Sequence, residues 1–182
     1  MTDHHVLEQT YTNSFSIIRL MDNRLYSNRC KISLELDLLN STSTGSLQEG
    51  SVALKKIDRW ITTVLDQSVF YHVADDVDTG MFSHLENNII FSPGETYDHM
   101  LAMLLHCKLN AIGQNHVRIV QIELSSSMNK NLVHRFSGNA AEKFPSNSEW
   151  VGTTSYFSEP WWLFSDGSTM DMIVEPGEDH NG

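Results

Sequence analysis

The clearest pattern in the chain is the alternation that runs from Cys30 to Leu39. Cys30, Ile32, Leu34, Leu36 and Leu38 point one way, and Lys31, Ser33, Glu35 and Asp37 point the other. Successive side chains of a strand face opposite sides, so this pattern predicts a strand of an antiparallel sheet with one buried and one wet face. Ser14 to Leu20 reads as its partner strand, with residues 21–28 as the connection. The Ser-, Thr- and Gly-rich stretch 40–50 reads as a loop. The period then changes. Ala53, Ile57, Trp60, Ile61 and Val64 recur at the three-and-four spacing of a helix, predicted from Ser51, its cap, to Asp66. Residues 70–88 read as irregular, with an acidic stretch at Asp75, Asp76 and Asp78.

A second helix is predicted from Ser92 as cap, Pro93 at the first helical position and Glu95 completing a capping box. Tyr97, Met100, Leu101, Leu104, Leu105 and Ile112 form its stripe, and Gly113 ends it. Val117–Leu124 and Leu132–Phe136 read as two further strands around a short polar turn at 125–131. Strands at both ends with helices between them imply the α+β class: a four-stranded antiparallel sheet with two helices packed on one face, in the order ββααββ. Such a sheet leaves a strand edge at each end, which predicts a homo-oligomer. From Ala140 the texture changes to prolines, serines and a dense aromatic group, Trp150, Tyr156, Phe157, Trp161, Trp162 and Phe164. Aromatic surface of this size is costly in water, so the group is expected to pack on the domain or on a neighbouring subunit. The acidic end, from about Glu175, is expected to be disordered. The chain thus divides into an extension at 1–13, a domain at 14–138 and an aromatic-rich extension at 139–182.

Composition narrows the function classes. A formal charge of -11 over 182 residues, with twelve scattered basic residues, argues against a nucleic-acid surface, which needs clustered Lys and Arg. Two cysteines make no disulfide framework, the start has no secretory pattern, and no apolar run reaches membrane-spanning length. These features point to a reduced cytoplasmic protein with neither nucleic acid nor membrane as partner.

Among candidate chemical groups, His99 and His106 lie seven apart on the second helix beside Cys107, without the i, i+4 spacing or accompanying Glu of a helical zinc motif. His72 and His84 flank the acidic loop, which lacks the calcium-loop pattern and reads as solvated. Cys107 lies mid-helix among apolar residues and Cys30 lies on the apolar face of a strand, so both read as buried, inert thiols. No G-x-S-x-G nucleophile elbow and no phosphate-binding glycine loop occurs.

Six local matches in order suggest a relationship. Phe15-Ser-Ile-Ile-Arg19 is similar to F-[ST]-A-A-H, and Tyr26-Ser-Asn-Arg-Cys-Lys-Ile32 to H-G-H-N-Y-x-[VL]. Gly50-Ser-Val-Ala-Leu-Lys-Lys-Ile57 looks like G-M-V-x-D-F-x-x-L-K, and Leu65-Asp-Gln-Ser-Val-Phe-Tyr71 like L-D-H-x-x-L-N. Ser92-Pro-Gly-Glu-Thr96 stands for N-P-T-x-E, and Val120-Gln-Ile-Glu123 for V-x-[VL]-x-E. These motifs resemble the 6-pyruvoyl-tetrahydropterin synthase and 6-carboxytetrahydropterin synthase family, the T-fold, over roughly residues 14–138. The resemblance implies ring-shaped oligomers with sites between subunits. It also implies a pterin held by a strand glutamate, here Glu123, whose two oxygens suit a donor-donor ring edge.

The departures are as informative. The family's three zinc histidines correspond to Arg19, Tyr26 and Asn28, and its catalytic histidine to Gln67, although the preceding aspartate survives as Asp66. No cysteine lies between Arg19 and Tyr26 for the family's nucleophile or base. Zinc needs imidazole, thiolate or carboxylate donors, which a guanidinium cannot replace. The resemblance therefore implies a divergent member that binds a pterin or purine-like small molecule without a metal cofactor, its zinc-dependent lyase chemistry lost. The alternatives are a non-catalytic oligomeric scaffold and a metal-independent enzyme acting on such a ring.

Overall fold

The computed structural model describes residues 7–22, 24–39, 44–72, 89–138 and 161–166. The alternating segment lies in a hairpin much longer than predicted. β1 (Leu7–Met21) and β2 (Arg24–Leu38) pair antiparallel from Leu7 opposite Leu38 to Met21 opposite Arg24. The turn needs only two residues, and Asp22 takes the left-handed conformation that short polar side chains tolerate. Residues 24–28, expected as a connection, are therefore strand. Their alternation is hidden because Arg24, Leu25, Tyr26 and Ser27 are all exposed near the hairpin tip.

α1 (Thr44–Trp60) starts earlier than Ser51 and runs into a π-helical turn, Ile61–Leu65. Ala53, Ile57, Trp60 and Ile61 are buried as the stripe requires, and Val64 is half-buried. The next segments correct the predicted sheet. β3 (Ser68–His72) pairs parallel to β1, and β4 (Ile89–Ser92) pairs parallel to β3. The sheet is thus six-stranded and mixed, ordered β4-β3-β1-β2-β5-β6, rather than four-stranded and antiparallel. β3 escaped detection because Val69, Phe70 and Tyr71 are all buried, so no alternation marks it. The acidic stretch with Asp75, Asp76 and Asp78, together with His84, lies outside the described residues.

α2 (Asp98–Gly113) begins five residues later than the capping-box signature suggested, with Tyr97 rather than Ser92 at the cap position. Ser92 is the buried last residue of β4, and its Oγ accepts the Gly94 N–H at 3.5 Å. Pairing with β3 has taken the residue that the local pattern assigned to the helix. β5 (Val117–Ser126) and β6 (Val133–Ser137) form the expected antiparallel hairpin.

The helix-facing residues of the strands, among them Ile17, Ile32, Leu34, Ile122 and Leu124, join residues of both helices in one core. Both helices accordingly cover the same face of the sheet. A smaller cluster on the opposite face gathers Leu20, Val69 and Tyr71. Trp161 and Trp162, which lie in a 3-10 turn (Trp161–Leu163), pack into the main core as the aromatic pattern anticipated. Trp161 stacks on Trp60 with ring centroids 6.4 Å apart. Lys108, fully buried on α2, donates to the carbonyls of Trp161 and Phe164 at 3.1 and 2.9 Å. Trp150, Tyr156, Phe157 and the acidic end lie outside the described residues.

Removing a fully buried indole leaves a cavity, so Trp161→Ala should lower the unfolding free energy by about 3–5 kcal/mol, read from urea denaturation. Leu163→Ala, at a 40% exposed neighbour, should stay within about 0.5 kcal/mol.

Candidate functional site at the amino end of the second helix

Strand parity places Arg19 on the helix-covered face after Phe15 and Ile17, so its guanidinium lies beneath the start of α2 and is 1% exposed. A charge so placed needs partners. Arg19 Nη1 donates to the Thr96 carbonyl at 2.8 Å, and Nη2 forms an ion pair with Asp98 Oδ1. Asp98 is the first residue of α2, where the helix dipole favours a negative side chain. Its second oxygen accepts from Ser126 Oγ at 2.8 Å and from Asn129 Nδ2 at 2.7 Å. Thr96 Oγ1 donates back to the Leu20 carbonyl at 3.3 Å. One carboxylate therefore joins β1, the end of β5, the β5–β6 turn and the start of α2.

Asn28 holds the same turn from the other side. Its side-chain oxygen accepts from Ser127 Oγ at 3.1 Å and from the Met128 N–H at 3.3 Å. His134 of β6 brings Nε2 to 3.8 Å from Asp98 Oδ2, and its ring lies 6.3 Å from that of His99. Three buried nitrogens here lack a hydrogen-bond partner: Arg19 Nε, Asn28 Nδ2 and His134 Nε2. Beside this polar floor, Tyr26, Tyr97, Met128 and Leu132 are exposed side chains on the adjoining hairpin tip, helix start and turn.

Electrostatics define what the cluster can do. Burial alone would raise the Asp98 pKa, but the Asn129 hydrogen bond, the Arg19 charge and the Ser126 hydrogen bond outweigh it and hold the carboxyl below its ordinary value. Burial pushes the Cys30 thiol up to about 12 despite nearby Arg19, so it is no thiolate nucleophile. Cys107 is likewise buried, at about 12. Ser126 and His134 both address Asp98, so the imidazole does not stand between serine and carboxylate as a hydrolytic triad requires.

The three positions aligned with zinc histidines do come together. Arg19 lies directly opposite Tyr26 in the β1–β2 ladder, and Asn28 is opposite Ile17. A guanidinium, a phenol and a carboxamide do not fit zinc. Among the described residues no group of three or more His, Cys, Asp or Glu is placed to hold a metal ion. His99 is exposed while His106 is buried against Phe136, with its pKa lowered by burial, so the two do not form a shared accessible face.

The other candidates lie apart from this cluster. Asp66 follows the π-helical turn, and its Oδ1 accepts the Ser16 N–H at 2.7 Å. Gln67, in the left-handed region, donates its N–H to the Ser16 carbonyl at 2.7 Å, so both residues brace the start of β3 against β1. Glu123 shares the opposite, wet face of β5 with Gln121 and Ser125. Its Oε1 accepts from Arg135 Nε at 2.7 Å and is ion-paired with Nη2. Within one chain, Glu123 and the Arg19–Asp98 pair are therefore on different sides of the sheet. Sequence reasoning missed Asp98, Ser126, Asn129 and His134. The available signal was a lone Arg inside the apolar run Ile17-Ile18-Arg19-Leu20, which demands a buried anion.

No protein-family model matches this chain, and no curated protein matches it. Among solved structures, it is similar to the uncharacterized protein WS1659 from Wolinella succinogenes. The match has 12% identity and a TM-score of 0.46, and covers 74% of this chain and 99% of that one.

Breaking a buried pair by removing one partner leaves the other uncompensated. Arg19→Met should cost about 3–5 kcal/mol in urea denaturation, and Arg19→Met combined with Asp98→Leu less than the sum of the single changes. Because the folded pKa of Asp98 is depressed, its stabilisation is present above the unfolded value of 3.8 and is lost as pH falls through the folded value. Asp98→Asn should flatten that acid limb in a pH series of denaturation curves.

Proposed function

We propose that this protein is a divergent, metal-independent relative of the pterin synthases that binds a pterin or purine-like ring through Glu123, with zinc-dependent lyase chemistry lost. The loss of zinc chemistry is supported by the buried Arg19–Asp98 ion pair. At the position aligned with a zinc histidine it sets a fixed internal cation with its own counter-ion. The ring-binding part rests on Glu123. Its side chain is 31% exposed on the wet face of the sheet, and the pairing Arg135 is 64% exposed. So exposed a pair is weakly held and readily exchanged. Both Arg135 contacts go to Oε1, which leaves Oε2 as an acceptor that Arg135 does not engage. A carboxylate in this setting can accept two parallel N–H bonds from a ring edge.

Calorimetric titration of chelator-treated protein with pterins and purines tests this reading. Saturable binding by the wild type should weaken at least about tenfold in both Glu123→Ala and Glu123→Gln, since each loses charge-assisted bonds. Absence of binding across the panel, or variants that bind like wild type, would remove the proposal.

A second reading, a non-catalytic homo-oligomeric scaffold of the cytoplasm, is favoured by the place of β6 at the end of the sheet among the described residues. Val133 there is 60% exposed, with Leu132 at 55% and Met128 at 39% beside it. Sedimentation equilibrium should then give a multiple of 20.7 kDa, and a strict monomer would eliminate the scaffold.

A further inference from the structure

Three clefts lined by described residues differ in charge and polarity. The first, between Glu8, Glu35 and Asp37, is acidic, and Asp37 is already ion-paired with Arg118. The second, beside α1 and the end of α2, is lined by Lys56, which it shares with the third, and by Glu49, which lies 3.4 Å from His116. The third lies between α1 with its π-helical turn, α2 and the segment after Leu163. It encloses about 450 Å³, within the range of small-molecule sites.

Its floor is apolar, formed by Trp60 and Ile112, each 3% exposed, and half-buried Val64. The indole N–H of Trp60 is buried without a partner. Lys56 and Arg59 stand on the rim, three residues apart on one helical face, and neither forms an ion pair among the described residues. Like charges at this spacing repel, and a bound anion would relieve them. The nearby threonines add little polarity, because Thr62 and Thr63 donate their hydroxyls to the helix carbonyls of Asp58 and Arg59. Asp166 also lines the cleft and would repel an anionic group placed beside it.

We infer that this cleft binds a small amphipathic anion, a carboxylate on a flat apolar body, with its head at Lys56 and Arg59 and its body over Trp60, Val64 and Ile112. The pairing of an apolar floor with two cations that form no ion pair among the described residues is what selects this class. It stands out in a chain carrying 23 acidic and 12 basic residues. The site is separate from Glu123 and independent of the ring-binding reading.

Naphthoate is a suitable probe, with neutral naphthylmethanol as its control, on the full chain by calorimetry and tryptophan fluorescence. One naphthoate should bind per chain, weakening with added salt. Lys56→Gln with Arg59→Gln should weaken it about tenfold or more, while Glu123→Gln should leave it unchanged. Both changed residues are exposed, so the fold should be retained. Equal affinity for naphthylmethanol, wild-type affinity in the double variant, or no saturable binding would each overturn the assignment.

Discussion

The carboxylate of Asp98 is the constraint on which the arrangement of elements turns. Burying a guanidinium and a carboxylate costs several kcal/mol for each ion, which mutual attraction recovers only when the remaining hydrogen-bonding groups are also met. Here they are largely met, by Thr96, Ser126 and Asn129. The bonds come from a strand, a turn and a helix start far apart in sequence, so the position of α2 over the sheet is set by directional contacts as well as by packing. Apolar packing of Leu101, Leu104 and Leu105 against the strands supplies most of the driving force, but it is tolerant of sliding. The ion pair supplies the register.

How legible this was in the sequence depended on whether a segment had one wet face. β2 beyond Cys30, the α1 stripe and the β5–β6 hairpin could be read because burial alternated with exposure at the period of the element. β3 and β4 could not. β3 is buried on both faces, and its parallel pairing with β1 joins residues about fifty positions apart. No local pattern reports such a pairing. The start of α2 was misplaced for a related reason: Ser92, Pro93 and Glu95 form a good local cap, but the sheet claims Ser92. Of the candidate site, the lone Arg19 in an apolar run was visible in the sequence, and β1–β2 pairing sets it opposite Tyr26. Asp98 was not, because a single aspartate before an apolar helix looks like any first-turn acid until Arg19 is placed beneath it.

The two faces of the sheet divide the labour. The helix-covered face carries the core and the Arg19–Asp98 ion pair. The wet face carries Glu123 and Arg135, whose pair is exposed and weak. A residue such as Glu123 can thus change partner without disturbing the fold, while Arg19 and Asp98 cannot. Any function that requires exchange of partners is better placed on the first than on the second.

The anchoring of Trp161 and Phe164 by Lys108 bears on how the chain acquires its structure during synthesis. Lys108 sits in the middle of α2, but two of the acceptors for its ammonium are main-chain carbonyls more than fifty residues later. Until those residues have been made, the Lys108 ammonium lacks these two acceptors and the slot beside Trp60 lacks the Trp161 ring that fills it. Closure of this part of the core therefore waits for residues 161–164. Because the acceptors are carbonyls, drift in side-chain identity at Phe164 is compatible with it, whereas insertions between Trp161 and Phe164 are not.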